Sequence, residues 1–129
     1  MSSINNSKLE RIKRERDMKL SEYQRIFTKN IGCLIECAYN NDIELTFGDA
    51  YRPIEMQEIY FAKGLTKTMK SKHLKRLAVD FNFFINGRLT YDKHKLAILG
   101  EYWESLHPLN RWGGNFKSFT DTPHFEMNV

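Results

Sequence analysis

The residues best suited to chemistry are two histidines and two aspartates in the second half of the chain. His73 and His124 are two of only four histidines, and each stands in a loop or strand-edge setting near a carboxylate. Asp80 follows His73 by seven residues, inside an otherwise apolar stretch. A catalytic zinc site takes three protein ligands, His or carboxylate, and leaves a fourth position for water; His73, Asp80 and His124 supply that set. Asp121 precedes His124 by three residues, with Pro123 stiffening the link. A carboxylate beside the attacking water can take its proton and return it to a leaving amine. Zinc brings the pKa of such a water toward about 7. Taken singly, these residues also have structural readings, since a lone Asp in a strand commonly hydrogen-bonds and a lone His commonly packs.

Positioning them requires a scaffold, and the patterning supplies one. From Leu20 to about Tyr39, Tyr23, Ile26, Phe27, Ile31, Leu34, Ile35 and Ala38 repeat at helical spacing, with Ser21 as the expected N-cap. Asn40, Asn41 and Asp42 break the pattern, and Ile43 to Tyr51 alternates as a strand. Pro53 suits the first turn of a second helix that Gly64 closes. After a polar loop, LTKTMKSKH, the β-formers of Leu77 to Ile85 meet a hairpin turn at Asn86-Gly87, and Arg88 to Thr90 returns. Tyr91 to about Leu106 reads as a third helix stopped by Pro108, and the tail ends in the alternating HFEMNV. Helices flanking a few strands define an α+β fold with a small antiparallel sheet. In it, a loop and strand bring His73 to Asp80, and His124 arrives from the tail.

A chain of 129 residues with 41% hydrophobic and 28% charged residues fits one domain, 1–129, with a basic helical segment at 1–19 and a catalytic core at 20–129. The net charge of +4 and pI near 9.1 favour polyanionic partners such as nucleic acid, anionic membrane faces or bacterial envelope polymers. No helix-turn-helix, zinc-finger or aromatic RNA-binding motif accompanies the charge, so no nucleic-acid partner is expected. In the segment Lys8 to Lys19, Glu10, Glu15 and Asp17 interleave with the bases as on a solvated helix face. Cys33 and Cys37 fall one turn apart and are read as reduced thiols in or near the core. The N-terminus lacks the apolar stretch of a signal peptide, and no run approaches the roughly 18 apolar residues of a membrane span. Cytosolic synthesis without membrane insertion is expected.

Ser71-Lys72-His73 through Ala78-Val79-Asp80 resembles the SxHxxGxAxD signature of the peptidoglycan peptidases related to D-alanyl-D-alanine carboxypeptidases. Asp121-Thr122-Pro123-His124-Phe125-Glu126 resembles their second zinc motif, and Ala50-Tyr51-Arg52 with Gln57 and Tyr60 looks like their substrate-side stretch. The resemblance covers Phe47 to Glu126 and implies one zinc ion on His73, Asp80 and His124, a fold shared with Hedgehog signalling domains, and catalysis by Asp121. Arg52, whose guanidinium could grip a carboxylate through two parallel hydrogen bonds, is the expected substrate anchor, or else a salt-bridging residue. Gln57, Ser71 and Trp112 join it as expected substrate contacts, with turn capping by Ser71 and core packing by Trp112 the alternatives. His94 and His107 receive no role. Arg76 departs from the signature's Gly, and strains the loop if that position needs a positive φ.

Within that family the residue three before the last His is typically Glu in D,D-peptidases and Asp, in DxPH, in L-alanyl-D-glutamate endopeptidases. Asp121 therefore implies an endopeptidase acting on bacterial peptidoglycan as a bacteriophage endolysin. It is expected to be a monomer held in the host cytoplasm until a holin opens a path to the wall. The alternatives are a D,D-carboxypeptidase or a non-catalytic zinc-binding module of the same fold.

Overall fold

Helix α1 (Ser2–Asn40) spans 39 residues without a break. The structure, a computed structural model, describes residues 2–66 and 71–129, and the side chains of 2–6 and 12–18 lie outside that description. The charge pairing expected around Glu15 and Asp17 falls on those side chains. The helix does not begin at Ser21, as the sequence reading expected. Ser21 is an interior residue whose carbonyl accepts from Arg25 Nε at 3.3 Å. Nothing between Lys8 and Leu20 is Gly or Pro, so the helix has no reason to stop at the edge of its apolar stripe. Phe27, Leu34 and Ala38 are the buried part of that stripe. The helix ends as expected at Asn41 and Asp42, where Asp42 takes a left-handed φ of 59°.

Strand β1 (Ile43–Phe47) pairs antiparallel with β2 (Ala78–Ile85), Phe47 lying opposite Phe81. It is shorter than the stretch to Tyr51 that the alternation outlined. Gly48 N–H donates to the Asp80 carbonyl and the Asp49 carbonyl accepts from Asp80 N–H, both at 2.8 Å, and the chain then leaves the sheet. Asn86 and Gly87, at φ 53° and 75°, turn β2 into β3 (Arg88–Thr90) as their types demand. Helix α2 (Ile54–Ala62) closes on Gly64 at φ 72°, with Leu65 N–H reaching the Tyr60 carbonyl and Gly64 N–H reaching that of Phe61.

Helix α3 (Lys93–Leu106) begins after Tyr91, because Asp92 Oδ1 accepts from the backbone of His94 and Lys95 and so caps it. Its buried residues, Leu96, Leu99, Gly100 and Trp103, follow one face. Two short strands complete the sheet, β4 (Asn110–Trp112) and β5 (His124–Met127), giving the order β1-β2-β5-β4 with β3 also on β2. The architecture is α+β, as expected. Strand alternation decides which side chains serve the core. Val79, Phe81, Phe83, Trp112, Phe125 and Met127 join the buried residues of α1 and α3 in one apolar cluster. The alternate residues Asp80, His124 and Glu126 face away from it.

Candidate metal centre and cleft

Register assembles the site. In the β2·β5 ladder Asp80 lies directly opposite His124, so their side chains rise from neighbouring strands on one face. His124 Nδ1 lies 3.2 Å from Asp80 Oδ1. His73, in the short 3₁₀ turn Lys72–Lys75 that leads into β2, places Nε2 3.4 Å from Asp80 Oδ2. One ligand atom from each of the three residues lies within 4.8 Å of the others, and both histidines are buried. Two imidazoles and a carboxylate form the mixed nitrogen and oxygen donor set that suits a catalytic zinc, so the residues present fit such an ion.

Each imidazole is also held from behind. His73 Nδ1 meets the Ala50 carbonyl at 2.9 Å. A carbonyl can only accept, so this contact puts a proton on Nδ1 and leaves Nε2 as the nitrogen turned toward Asp80. His124 Nε2 lies 2.7 Å from Glu126 Oε1, and Arg111 donates to Glu126 Oε2 from Nη2 at 2.7 Å and from Nε at 3.1 Å. The sequence reading gave Glu126 and Arg111 no role. Their signal was present but weak: Glu126 follows His124 at the spacing that puts both on one strand face.

The charges are mutually stabilised. Burial alone would raise the pKa of Asp80, but hydrogen bonds from His124 and His73 outweigh it and hold the carboxyl well below the usual carboxylate range. Burial would lower that of His124, yet its bonds to Asp80 and Glu126 raise it to about 9. Glu126 is also held low, because contacts with His124 and Arg111 overcome its burial. Asp121 differs. Its burial pushes the carboxyl above its ordinary value, aided by the charge of Asp80 and opposed by His124, His73 and Arg52.

Asp121 reaches the cluster through a tight turn. Its N–H donates to the Gly113 carbonyl at 2.9 Å, and its own carbonyl accepts from His124 N–H at 3.1 Å. A Cβ on Gly113 would stand 2.1 Å from the Asp121 carbonyl oxygen and 2.9 Å from His124 Cβ, so only glycine allows β4 to approach this turn. Gly113→Ala should displace both Asp121 and His124. The expected loss is about 1–3 kcal/mol of stability, the usual range for overpacking, accompanied by weaker metal retention. Urea denaturation and metal analysis of the purified variant check both.

Asp121, His73, Asp80 and His124 line a cleft of about 500 Å³ with Arg52 and Ser71. The expected substrate contacts divide. Ser71 borders the cleft but also accepts from His73 N–H at 3.2 Å, capping the 3₁₀ turn. Arg52 borders it too, although its guanidinium is not the open fork that was expected. Nη2 pairs with Asp49 Oδ2 at 2.9 Å, Nη1 with Gln57 Oε1 at 2.8 Å, and the group lies 4.8 Å from the Tyr60 ring centroid. Gln57 is wholly buried and does not line the cleft; it holds Arg52 in place. Trp112 is likewise a core residue, 1% exposed, not a cleft wall. It packs on Gly100 and Gly114, and its Nε1 donates to the Thr122 carbonyl at 2.9 Å, which steadies the segment leading to His124. His107 caps the end of α3 and His94 lies in its first turn, both without a place in the cluster.

Arg76 does adopt the left-handed conformation, φ 57° and ψ 35°, that its glycine-bearing counterparts would adopt freely. Its guanidinium stacks over Tyr51 at 4.0 Å from the ring centroid, which offsets part of the strain. Arg76→Gly should therefore leave stability within about 1 kcal/mol of the parent, relief of the backbone balancing the lost stack. Tyr51→Ala, which removes the stack and keeps the strain, should cost about 0.5–1 kcal/mol. Denaturant midpoints of the two variants check both values.

A small sheet carries α1 and α3 on one face and a His-Asp-His cleft on the other. The family model described as D-alanyl-D-alanine carboxypeptidase matches residues 65–127, the segment carrying all of His73, Asp80, Asp121 and His124. That match spans just under half of the chain. It is 26% identical over 96 residues to the L-alanyl-D-glutamate peptidase of Listeria phage A118, covering 74% of this chain and 34% of that protein. The chain therefore spans about a third of that relative's length. Among solved structures it resembles the L-Ala D-Glu endopeptidase ChiX of Serratia marcescens, with TM-score 0.64, 21% identity and coverage of 83% of this chain and 84% of that one. It also resembles the vancomycin-resistance D,D-pentapeptidase VanY, solved with Zn(II), with TM-score 0.53, 17% identity and coverage of 80% and 71%.

Proposed function

We propose that this protein is a zinc-dependent peptidoglycan endopeptidase that hydrolyses the L-alanyl-D-glutamate bond of cell-wall stem peptides. The observation that carries this reading is the convergence of His73, Asp80 and His124 within 4.8 Å in a cleft that Asp121 also lines. The names of the phage relative and of ChiX support the choice of bond. A zinc ion held by the three ligands would supply Lewis acidity, lowering the pKa of water and polarising a peptide carbonyl. Asp121 takes the proton of the attacking water on its carboxylate and passes it to the leaving amine. Its raised pKa suits a base that must also serve as an acid. Arg52, Lys72 and Arg111 line the same cleft and attract the carboxylates of the stem peptide.

The setting that fits this activity is a phage lysis enzyme, acting as a monomer on the wall after release from the host cytoplasm through a holin. Digestion of purified peptidoglycan followed by mass spectrometry tests the reaction. New alanine carboxyl and glutamate amino ends are expected. A second reading, D,D-carboxypeptidase activity, is favoured by the description of the matching family model and by VanY. Release of terminal D-alanine with the L-alanyl-D-glutamate bond intact would establish it instead. For the lysis setting, expression in a host cell with and without a holin is decisive, lysis in both or neither refuting the proposed route.

A further inference from the structure

The two histidines of the cluster are fixed by different means. His73 is held by a backbone carbonyl, which is present whatever the side chains are. His124 depends on the carboxylate of Glu126, which is itself built in. Glu126 is 5% exposed, stands directly opposite Arg111 in the β4·β5 ladder, and receives both Nε and Nη2 of that guanidinium on Oε2. Its other oxygen is thereby left for His124 Nε2 at 2.7 Å. The backbone on which it sits is pinned as well, since Trp103 Nε1 donates to the Glu126 carbonyl at 3.1 Å. An ionised carboxylate can only accept, so the proton facing it stays on Nε2 and the nitrogen turned toward Asp80 is Nδ1.

We propose that Glu126, anchored by Arg111, is a positioning residue that keeps the proton of His124 on Nε2 and presents Nδ1 to the metal, and so sets the affinity of the site. The inference rests on the zinc reading above. Its energetic basis is general, because a carboxylate behind a ligating imidazole fixes ring orientation and increases ligand basicity, and loss of such partners typically costs about 10–100-fold in metal affinity. Arg111, Glu126, His124 and Asp80 then form one continuous chain of polar contacts, from the half-exposed Arg111 guanidinium through buried Glu126 and His124 to Asp80.

Zinc affinity measured by chelator competition tests this without any activity assay. Glu126→Ala should bind zinc about 10–100-fold more weakly than the parent. Glu126→Gln keeps the shape and a carbonyl oxygen for Nε2–H but loses the charge, and should fall between the two. Arg111→Met, which frees the carboxylate to move, should also weaken binding. Nitrogen-15 spectra of the zinc-loaded parent supply a readout independent of whether any variant folds. Zinc on Nδ1 of His124 with the proton on Nε2 is expected, and zinc on Nε2 would overturn the proposal. Parental affinity in folded Glu126→Ala would overturn it as well. Failure of the parent to bind zinc would instead refute the metal reading on which it rests.

Discussion

Asp121→Ala is expected to reduce kcat on peptidoglycan by about 10²–10⁴-fold, the usual contribution of a positioned acid–base residue, while leaving zinc binding close to that of the parent. The separation follows from geometry. The three proposed ligands are His73, Asp80 and His124, and Asp121 enters the site through the turn that ends on His124. That turn is made by the Asp121 backbone, which alanine retains, so His124 should stay in place when the carboxylate is removed. Asp121→Asn is the sharper variant because it preserves shape and removes only the capacity to take a proton. Metal content and turnover measured on one preparation decide the matter. Parental kcat would remove Asp121 from its role, and loss of zinc together with activity would make it a ligand.

The second large effect concerns pH in the metal-free protein, where the cluster must stabilise itself. His124 has its pKa raised from 6.5 to about 9, so the native chain binds more protons than the unfolded one across that interval. Stability from this group is complete below about 6.5 and declines as pH rises through about 9. The loss is on the order of 3 kcal/mol, at about 1.36 kcal/mol per pKa unit. Asp80 contributes with the opposite sign: its depressed pKa gives stability that is complete above about 3.8 and lost as pH falls below it. Chelated protein should therefore be most stable between these limits. Zinc bound at the proposed site should reverse the alkaline arm, because it would compete with protons for His124 and bind more tightly as they leave. Thermal denaturation at pH 6, 7.5 and 9, with chelator and with equimolar zinc, should show Tm falling in the first series and not in the second. A flat profile in chelator would show that His124 is not held as its contacts indicate.

Much of the scaffold could be read locally. The turn at Asn86-Gly87 needs two positive φ angles, and the residue types announce them. The stripe Leu96, Leu99, Gly100 and Trp103 announces a helix face. Where local reading failed, a neighbour in space or a cap decided. Ser21 looked like a helix start because apolar periodicity begins beside it, but periodicity marks the part of α1 that packs and says nothing of how far the backbone continues. Strand β4 has three residues, too few to show a period, and exists because β5 lies alongside.

The sequence by itself determined the chemical identity of the site: the donor types at His73, Asp80 and His124, their order, and the carboxylate of Asp121. These are side-chain properties, and no fold can supply them. Tertiary structure decided what each polar residue faces. Gln57 and Trp112 looked like cleft residues and turned inward, and Arg52 spends two nitrogens on Asp49 and Gln57. Glu126 went unassigned although it lies two residues from His124, because its meaning depends on Arg111 across a strand pair. The physical reason is that a charged group in a fold acts through the partner that neutralises it, and strand register, which chooses that partner, is fixed by core packing.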